Sequence, residues 1–200
     1  MESSSLHDQR LGFVTGILLE AKARRVLDLG CGAGRLLARL MQEPIFEHVT
    51  GLDASASALA VARGELAAHV ASGRLALLHG QVFEAHRHAG DADAVTLVEV
   101  IEHLEPRRLS EAERCVFGHY RPGLVVVTTP NVEYNPRLGL RDGQRRDPEH
   151  RFEWPRQRFR AWASGVARRN GYRAQVGGIG PSDADLGAPT QYALFRRDAV

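Results

Sequence analysis

The stretch from Arg25 to Gly34 constrains this chain more than any other. Arg25-Val26-Leu27-Asp28-Leu29 is a short, mostly apolar run that reads as a buried strand, and Gly30-Cys31-Gly32-Ala33-Gly34 follows it directly. Arg35 to Met41 then carries helical periodicity. Glycines between a strand and a helix let the backbone turn sharply and approach a ligand closely. The same alternation continues along the chain. Leu6 to Ala21 reads as an amphipathic helix, His48 to Asp53 as a second strand, and Ser55 as the cap of a helix to about Val70. Leu75 to His79 and Ala94 to Val98 are further strands, and Pro106 suits the first turn of a helix over Arg107 to Gly118. Leu124 to Thr129 is the most β-rich run. A polar, Arg-rich loop from Asn131 to Glu153 follows, then a helix from Trp154-Pro155 to about Arg169. Tyr172 to Gly177 and Thr190 to Arg196 close the pattern as an antiparallel hairpin. Strands alternating with helices in this way specify an α/β fold with a largely parallel sheet.

Composition sets the outer bounds. Two hundred residues fit one domain, expected to span 1–200. A hydrophobic content of 44% and a charged content of 25% exclude a disordered chain, a collagen and a coiled coil. No run approaches the ~18 apolar residues of a membrane span, and Met1 to Ser5 lacks the basic and apolar regions of a secretory signal. Cys31 and Cys115 are too few for a disulfide framework or a four-cysteine zinc site. A reduced, cytoplasmic protein is expected. The net charge of +2 names no partner, although Lys22 is the only lysine among 26 basic residues and arginine suits phosphate better than lysine does.

The glycine spacing is informative. The dinucleotide fingerprint is G-x-G-x-x-G, whereas here the third glycine comes one residue early and Arg35 holds its place, so the fit to NAD is poor. The form D-L-G-x-G-x-G resembles the first motif of class I S-adenosylmethionine-dependent methyltransferases. The resemblance implies that Gly30, Gly32 and Gly34 wrap the methionine portion of that cofactor and that Asp28 bonds its amino group. Asp53, at the end of the second strand and 19 residues after Gly34, can accept both ribose hydroxyls. By topological analogy, Val82 in Gly80-Gln81-Val82-Phe83 contacts the adenine.

Glu99, Glu102 and His103 sit at the carboxyl end of the fourth strand, the edge where open α/β sheets bind ligands. Spacings of three and four place them on one face of a helical turn. His150 lies beyond the fifth strand, whose following loop can return over the same edge. Two carboxylates and two imidazoles without thiolate suit Mn²⁺, Fe²⁺ or Co²⁺ better than structural zinc or magnesium. An ion with four protein ligands keeps two positions open. A ribose 2′,3′-diol is a natural chelate for them, and among nucleic acids that diol exists only at the last nucleotide of an RNA.

Glu99-Val100-Ile101-Glu102-His103-Leu104, Thr128-Thr129-Pro130-Asn131 and His150-Arg151-Phe152-Glu153-Trp154 together resemble the Hen1 RNA 3′-terminal 2′-O-methyltransferases. The resemblance runs from about Leu6 to Arg197. It implies a class I, Rossmann-like methyltransferase fold with a seven-stranded, mostly parallel sheet and a terminal antiparallel hairpin. It implies S-adenosylmethionine as methyl donor and Mn²⁺, with Mg²⁺ or Co²⁺ as alternatives, held by Glu99, Glu102, His103 and His150. His103 is the expected general base. The substrate implied is an RNA 3′ end with a free 2′,3′-diol, methylated in RNA repair or end protection. Bacterial members work beside a polynucleotide kinase–phosphatase–ligase, and the domain alone is expected to be monomeric. Arg137 to Arg160 holds eight arginines and four acids, a net +4 that reads as a phosphate-tracking rim. Tyr134, Phe152 and Trp154 are candidates for stacking on a terminal base. The rival readings are a small-molecule O-methyltransferase acting on a diol and an RNA-end-binding protein without catalysis.

Overall fold

A computed structural model describes residues 5–87, 89–141 and 143–198. Seven strands form one sheet: β1 (Arg25–Leu29), β2 (His48–Asp53), β3 (Leu75–His79), β4 (Ala94–Val98), β5 (Leu124–Pro130), β6 (Tyr172–Ile179) and β7 (Thr190–Arg197). Their order is β3-β2-β1-β4-β5-β7-β6. The first five strands run parallel, and β7 inserts antiparallel between β5 and β6. Side chains alternate across the sheet. In β5, Leu124 and Val126 enter one core, with α1 (Leu6–Glu20), α2 (Arg35–Leu40) and α3 (Ala56–Glu65), while Val125 and Val127 enter the other, with α6 (Arg156–Asn170). Burial on both faces explains why the strands read as unbroken apolar runs.

Two expected helices are more divided than their periodicity suggests. The helix capped by Ser55 breaks at Leu66, whose φ of −114° and ψ of 22° leave the helical region, and α4 (Ala67–Ala71) completes it. The segment after Pro106 is a 3₁₀ turn (Pro106–Arg108), then α5 (Leu109–Glu113), then a π-helical stretch (Arg114–Tyr120). The wider π turn brings the consecutive residues Cys115, Val116 and Phe117 all into the core.

The Arg-rich stretch is largely committed to the protein itself. Arg146 turns inward and donates to the carbonyls of Asn131 (2.5 Å) and Pro189 (2.8 Å) and to Asn135 Oδ1 (2.7 Å). Arg145 donates to the His150 carbonyl, Arg137 pairs with Asp183, Arg151 with Glu105, and Arg156 with Glu133. The +4 read from the sequence is therefore not a free rim. Arg146 pins the long loop because a guanidinium can satisfy several buried carbonyls at once. Trp154 is 4% exposed and stacks on Phe152 at 4.3 Å, so it anchors the core and cannot meet an RNA base.

Candidate active site

The carboxyl edge of the parallel strands carries a cavity of about 540 Å³. Gly30, Asp53 and Val82 line one side of it, and Glu99, His103 and Glu149 the other. The glycine loop is built tightly: Gly30 N donates to the Leu52 carbonyl at 2.7 Å, and Gly32 N to Asp53 Oδ2 at 2.7 Å. Asp53 Oδ1 accepts from Ser55 N at 2.7 Å, so the acid ties β2 to both the loop and the start of α3. Gly30 lies at φ 78°, and a Cβ there would come within 2.5 Å of Val100 Cγ2. No other residue suits that position.

Asp28, Gly32 and Gly34 lie just behind the residues that line this cavity. Asp28 is 2% exposed because its strand position aims it into the sheet, where Thr96 Oγ1 donates to it at 2.6 Å. Burial pushes its carboxyl up to about 7, against the opposing Thr96 bond. Gly34, at φ 83°, serves as the N-cap of α2. Gly32 acts through its amide on Asp53.

Three of the four expected ligands converge. Glu102, His103 and His150 offer ligand atoms within 4.8 Å of one another. The His103 and His150 rings meet edge to face, with centroids 4.8 Å apart. Arg151 N donates to the Glu102 carbonyl at 2.7 Å, which fastens the His150 loop to the turn after β4. His150 Nδ1 lies 2.7 Å from Glu153 Oε1. A carboxylate only accepts, so Nδ1 donates and Nε2 is left for a ligand. Burial pushes Glu153 up, but bonds from Asn135, His150 and the Arg146 amide outweigh it and hold the group below the usual carboxylate range. Burial, then the nearby His150, pushes His103 down and favours its neutral imidazole.

Glu102 is fully buried. Its Oε2 accepts from Thr129 Oγ1 at 2.9 Å, while Oε1 has no hydrogen-bond partner among the described residues. Burial raises its carboxyl well above the usual range, and the neighbouring Glu99 adds to that. A buried carboxylate with an orphaned oxygen, in a cluster with two imidazoles, is costly unless a cation completes it. The residues present thus fit a divalent ion with mixed oxygen and nitrogen donors.

Glu99 stands outside that convergent set. Its backbone takes φ 56°, uncommon for a residue with a side chain, and its amide donates to both the carbonyl and Oγ1 of Thr128. Thr128 Oγ1 donates back to Glu99 Oε1 at 2.9 Å, and Arg10 Nη2 approaches Oε2 at 3.1 Å. Burial raises the Glu99 carboxyl, opposed by Arg10 and Thr128. Sequence reading gave no role to Arg10, Thr128, Thr129 or Glu153. A signal for Arg10 existed: with Val14 and Leu18 it forms an i, i+4, i+8 stripe, a charge on an apolar face.

The sheet order, the glycine loop and the acid at the end of β2 define a class I, Rossmann-like S-adenosylmethionine-dependent methyltransferase fold. A methyltransferase-domain family matches residues 26–123. The small RNA 2′-O-methyltransferase of Rattus norvegicus is 32% identical over 204 residues, covering 96% of this chain and 51% of that protein. The methyltransferase domain of bacterial CtHen1 (CtHen1-C) is 40% identical, with 98% of this chain and 100% of that one covered at a TM-score of 0.86. A chain of the Pnkp1/Rnl/Hen1 RNA repair complex shares the fold at 22% identity and a TM-score of 0.72, over 97% of this chain and 42% of that one. The chain belongs to the Hen1 methyltransferase family. It spans about half the length, or less, of the curated relatives it matches.

Proposed function

We propose that this chain transfers a methyl group from S-adenosylmethionine to the 2′-hydroxyl of the 3′-terminal nucleotide of RNA, with Mn²⁺ held by Glu102, His103 and His150 and by Glu99 beside them. The observation that carries this reading is the convergence of ligand atoms of Glu102, His103 and His150 within 4.8 Å, where the buried Glu102 carboxylate keeps one oxygen without a partner among the described residues. That cluster adjoins a cavity whose opposite wall is the cofactor-type glycine loop.

In this scheme Gly30, Asp53 and Val82 bind the cofactor, and Asp28 and Gly32 shape the loop from behind. Bound in the cluster, the divalent ion would supply Lewis acidity that lowers the pKa of a terminal ribose hydroxyl. His150 is oriented through Glu153. His103 offers one of its ring nitrogens to the cluster, beside His150. His103 lies at the exposed mouth of the cavity, where the proton of the ribose hydroxyl is passed to solvent water. Holding donor and acceptor on adjacent strand ends supplies alignment. The relatives named for small RNA methylation and the fold shared with the repair-complex chain support a role in RNA end protection or repair, beside a kinase–phosphatase–ligase partner.

The test is to incubate the protein with S-adenosylmethionine, Mn²⁺ and RNAs ending in a 2′,3′-diol, a 3′-phosphate or a 2′-deoxy sugar, followed by periodate oxidation. Protection of the diol RNA, only with the ion present, and no methyl incorporation into the other two RNAs, which periodate cannot cleave in any case, are expected. Methyl incorporation into the 2′-deoxy control would overturn the assignment.

A further inference from the structure

Taking the cluster as the ion site proposed above, we infer that Arg10 is a positioning residue that fixes the Glu99 carboxylate for the ion from a distant part of the chain. Arg10 lies on α1 and is 8% exposed. Its Nη2 reaches Glu99 Oε2 at 3.1 Å and donates to Thr190 Oγ1 at 3.0 Å, while Nη1 lies 3.4 Å from His7 Nδ1. Its Nε is buried without a partner among the described residues. A guanidinium this enclosed is held for a purpose, since burying a charge with an unsatisfied N–H opposes folding.

The geometry supplies the purpose. Glu99 carries a left-handed backbone, and each carboxylate oxygen is already tethered, Oε1 by Thr128 and Oε2 by Arg10. Thr128 is a near neighbour on the adjacent strand β5, but Arg10 comes from a helix 89 positions earlier in the chain. The two tethers fix the rotation of the carboxylate and leave one lone pair on each oxygen. Arg10 also sets one positive charge against two buried acids that otherwise repel each other, Glu99 and Glu102. Without Arg10, Glu99 can swing away from Glu102 towards solvent, and the fourth side of the ion site is lost. Partners of this kind, one bond removed from a ligand, typically change ion affinity by about 10–100-fold.

The experiment is Mn²⁺ binding to the RNA-free, cofactor-free protein, followed by electron paramagnetic resonance, for wild type, E102A, R10A, R10K and T190V. Wild type should bind and E102A should not. R10A should bind roughly 10–100-fold more weakly, with S-adenosylmethionine affinity unchanged, and R10K should recover part of the loss. T190V removes only one anchor of the guanidinium and should weaken Mn²⁺ by a smaller factor; it decides the matter if R10A fails to fold. Removal of a cation alone would tighten the binding of a divalent ion. R10A or T190V that binds Mn²⁺ as tightly as wild type, or more tightly, therefore overturns the positioning role while leaving the ion site intact. Equal failure of wild type and E102A to bind overturns both.

Discussion

Asp28 offers a quantitative test of how this fold carries its site. The carboxyl is fully enclosed, bonded by Thr96, and titrates at about 7 in the folded protein against 3.8 for the free group. Its folded value is raised, so its contribution to stability is fully present below pH 3.8 and is lost as pH rises towards 7. At each pH between these values the unfolded chain has released the proton and the folded chain has kept it. Above pH 8 the accumulated cost reaches up to about 4 kcal/mol. Asp28→Asn is neutral at every pH and can still accept the Thr96 hydroxyl. It should therefore melt above wild type at pH 8.5 and by a smaller margin at pH 5. For a chain of this size 1 kcal/mol moves the midpoint by about 2–4 °C, so the difference between variant and wild type should be roughly 5–10 °C larger at the higher pH. Thermal melts at both pH values check this. A difference that is the same at pH 5 and pH 8.5 refutes the claim that the buried carboxyl resists ionisation.

Further outcomes follow from the cluster and the loop. Glu102→Gln should abolish methyl transfer to RNA while retaining S-adenosylmethionine binding, as read by labelled methyl incorporation and calorimetry. Glu153→Ala should lower Mn²⁺ affinity by roughly 10–100-fold, because it frees the His150 ring that the carboxylate holds at 2.7 Å. Gly30→Ala places a methyl 2.5 Å from Val100 Cγ2 at a φ of 78°, so cofactor binding should be lost, with a stability loss of about 1–3 kcal/mol in denaturant melts.

The parts of this protein legible in its sequence are those written by local pattern. Arg25 to Gly34 specifies a strand and a tight turn by itself, and the strand runs of β4 and β5 follow from two-sided burial. The meeting of Glu102 with His150 was legible only because strand adjacency makes the loop after β5 return beside β4. What the sequence concealed depends on partners far apart in the chain. The eight arginines between Arg137 and Arg160 look like one basic surface, yet Arg146 is spent on the carbonyls of Asn131 and Pro189, and Arg137 on Asp183. Local charge counts cannot see such pairings. Asp28 reads as a ligand for the cofactor's amino group from its place beside the glycines, and its burial against Thr96 on the neighbouring strand was not visible in that pattern. Arg10 was visible only as an interruption of the apolar stripe of α1.

β1 and β4 are hydrogen-bonded neighbours, and Gly30 at the end of one touches Val100 just beyond the end of the other. In the reaction proposed above, donor and acceptor would meet in the one cavity that both strand ends line. Their separation is a property of strand pairing, set once when the chain folds. Turnover measured against temperature should accordingly fall in step with loss of the whole sheet, without an earlier inactivation step.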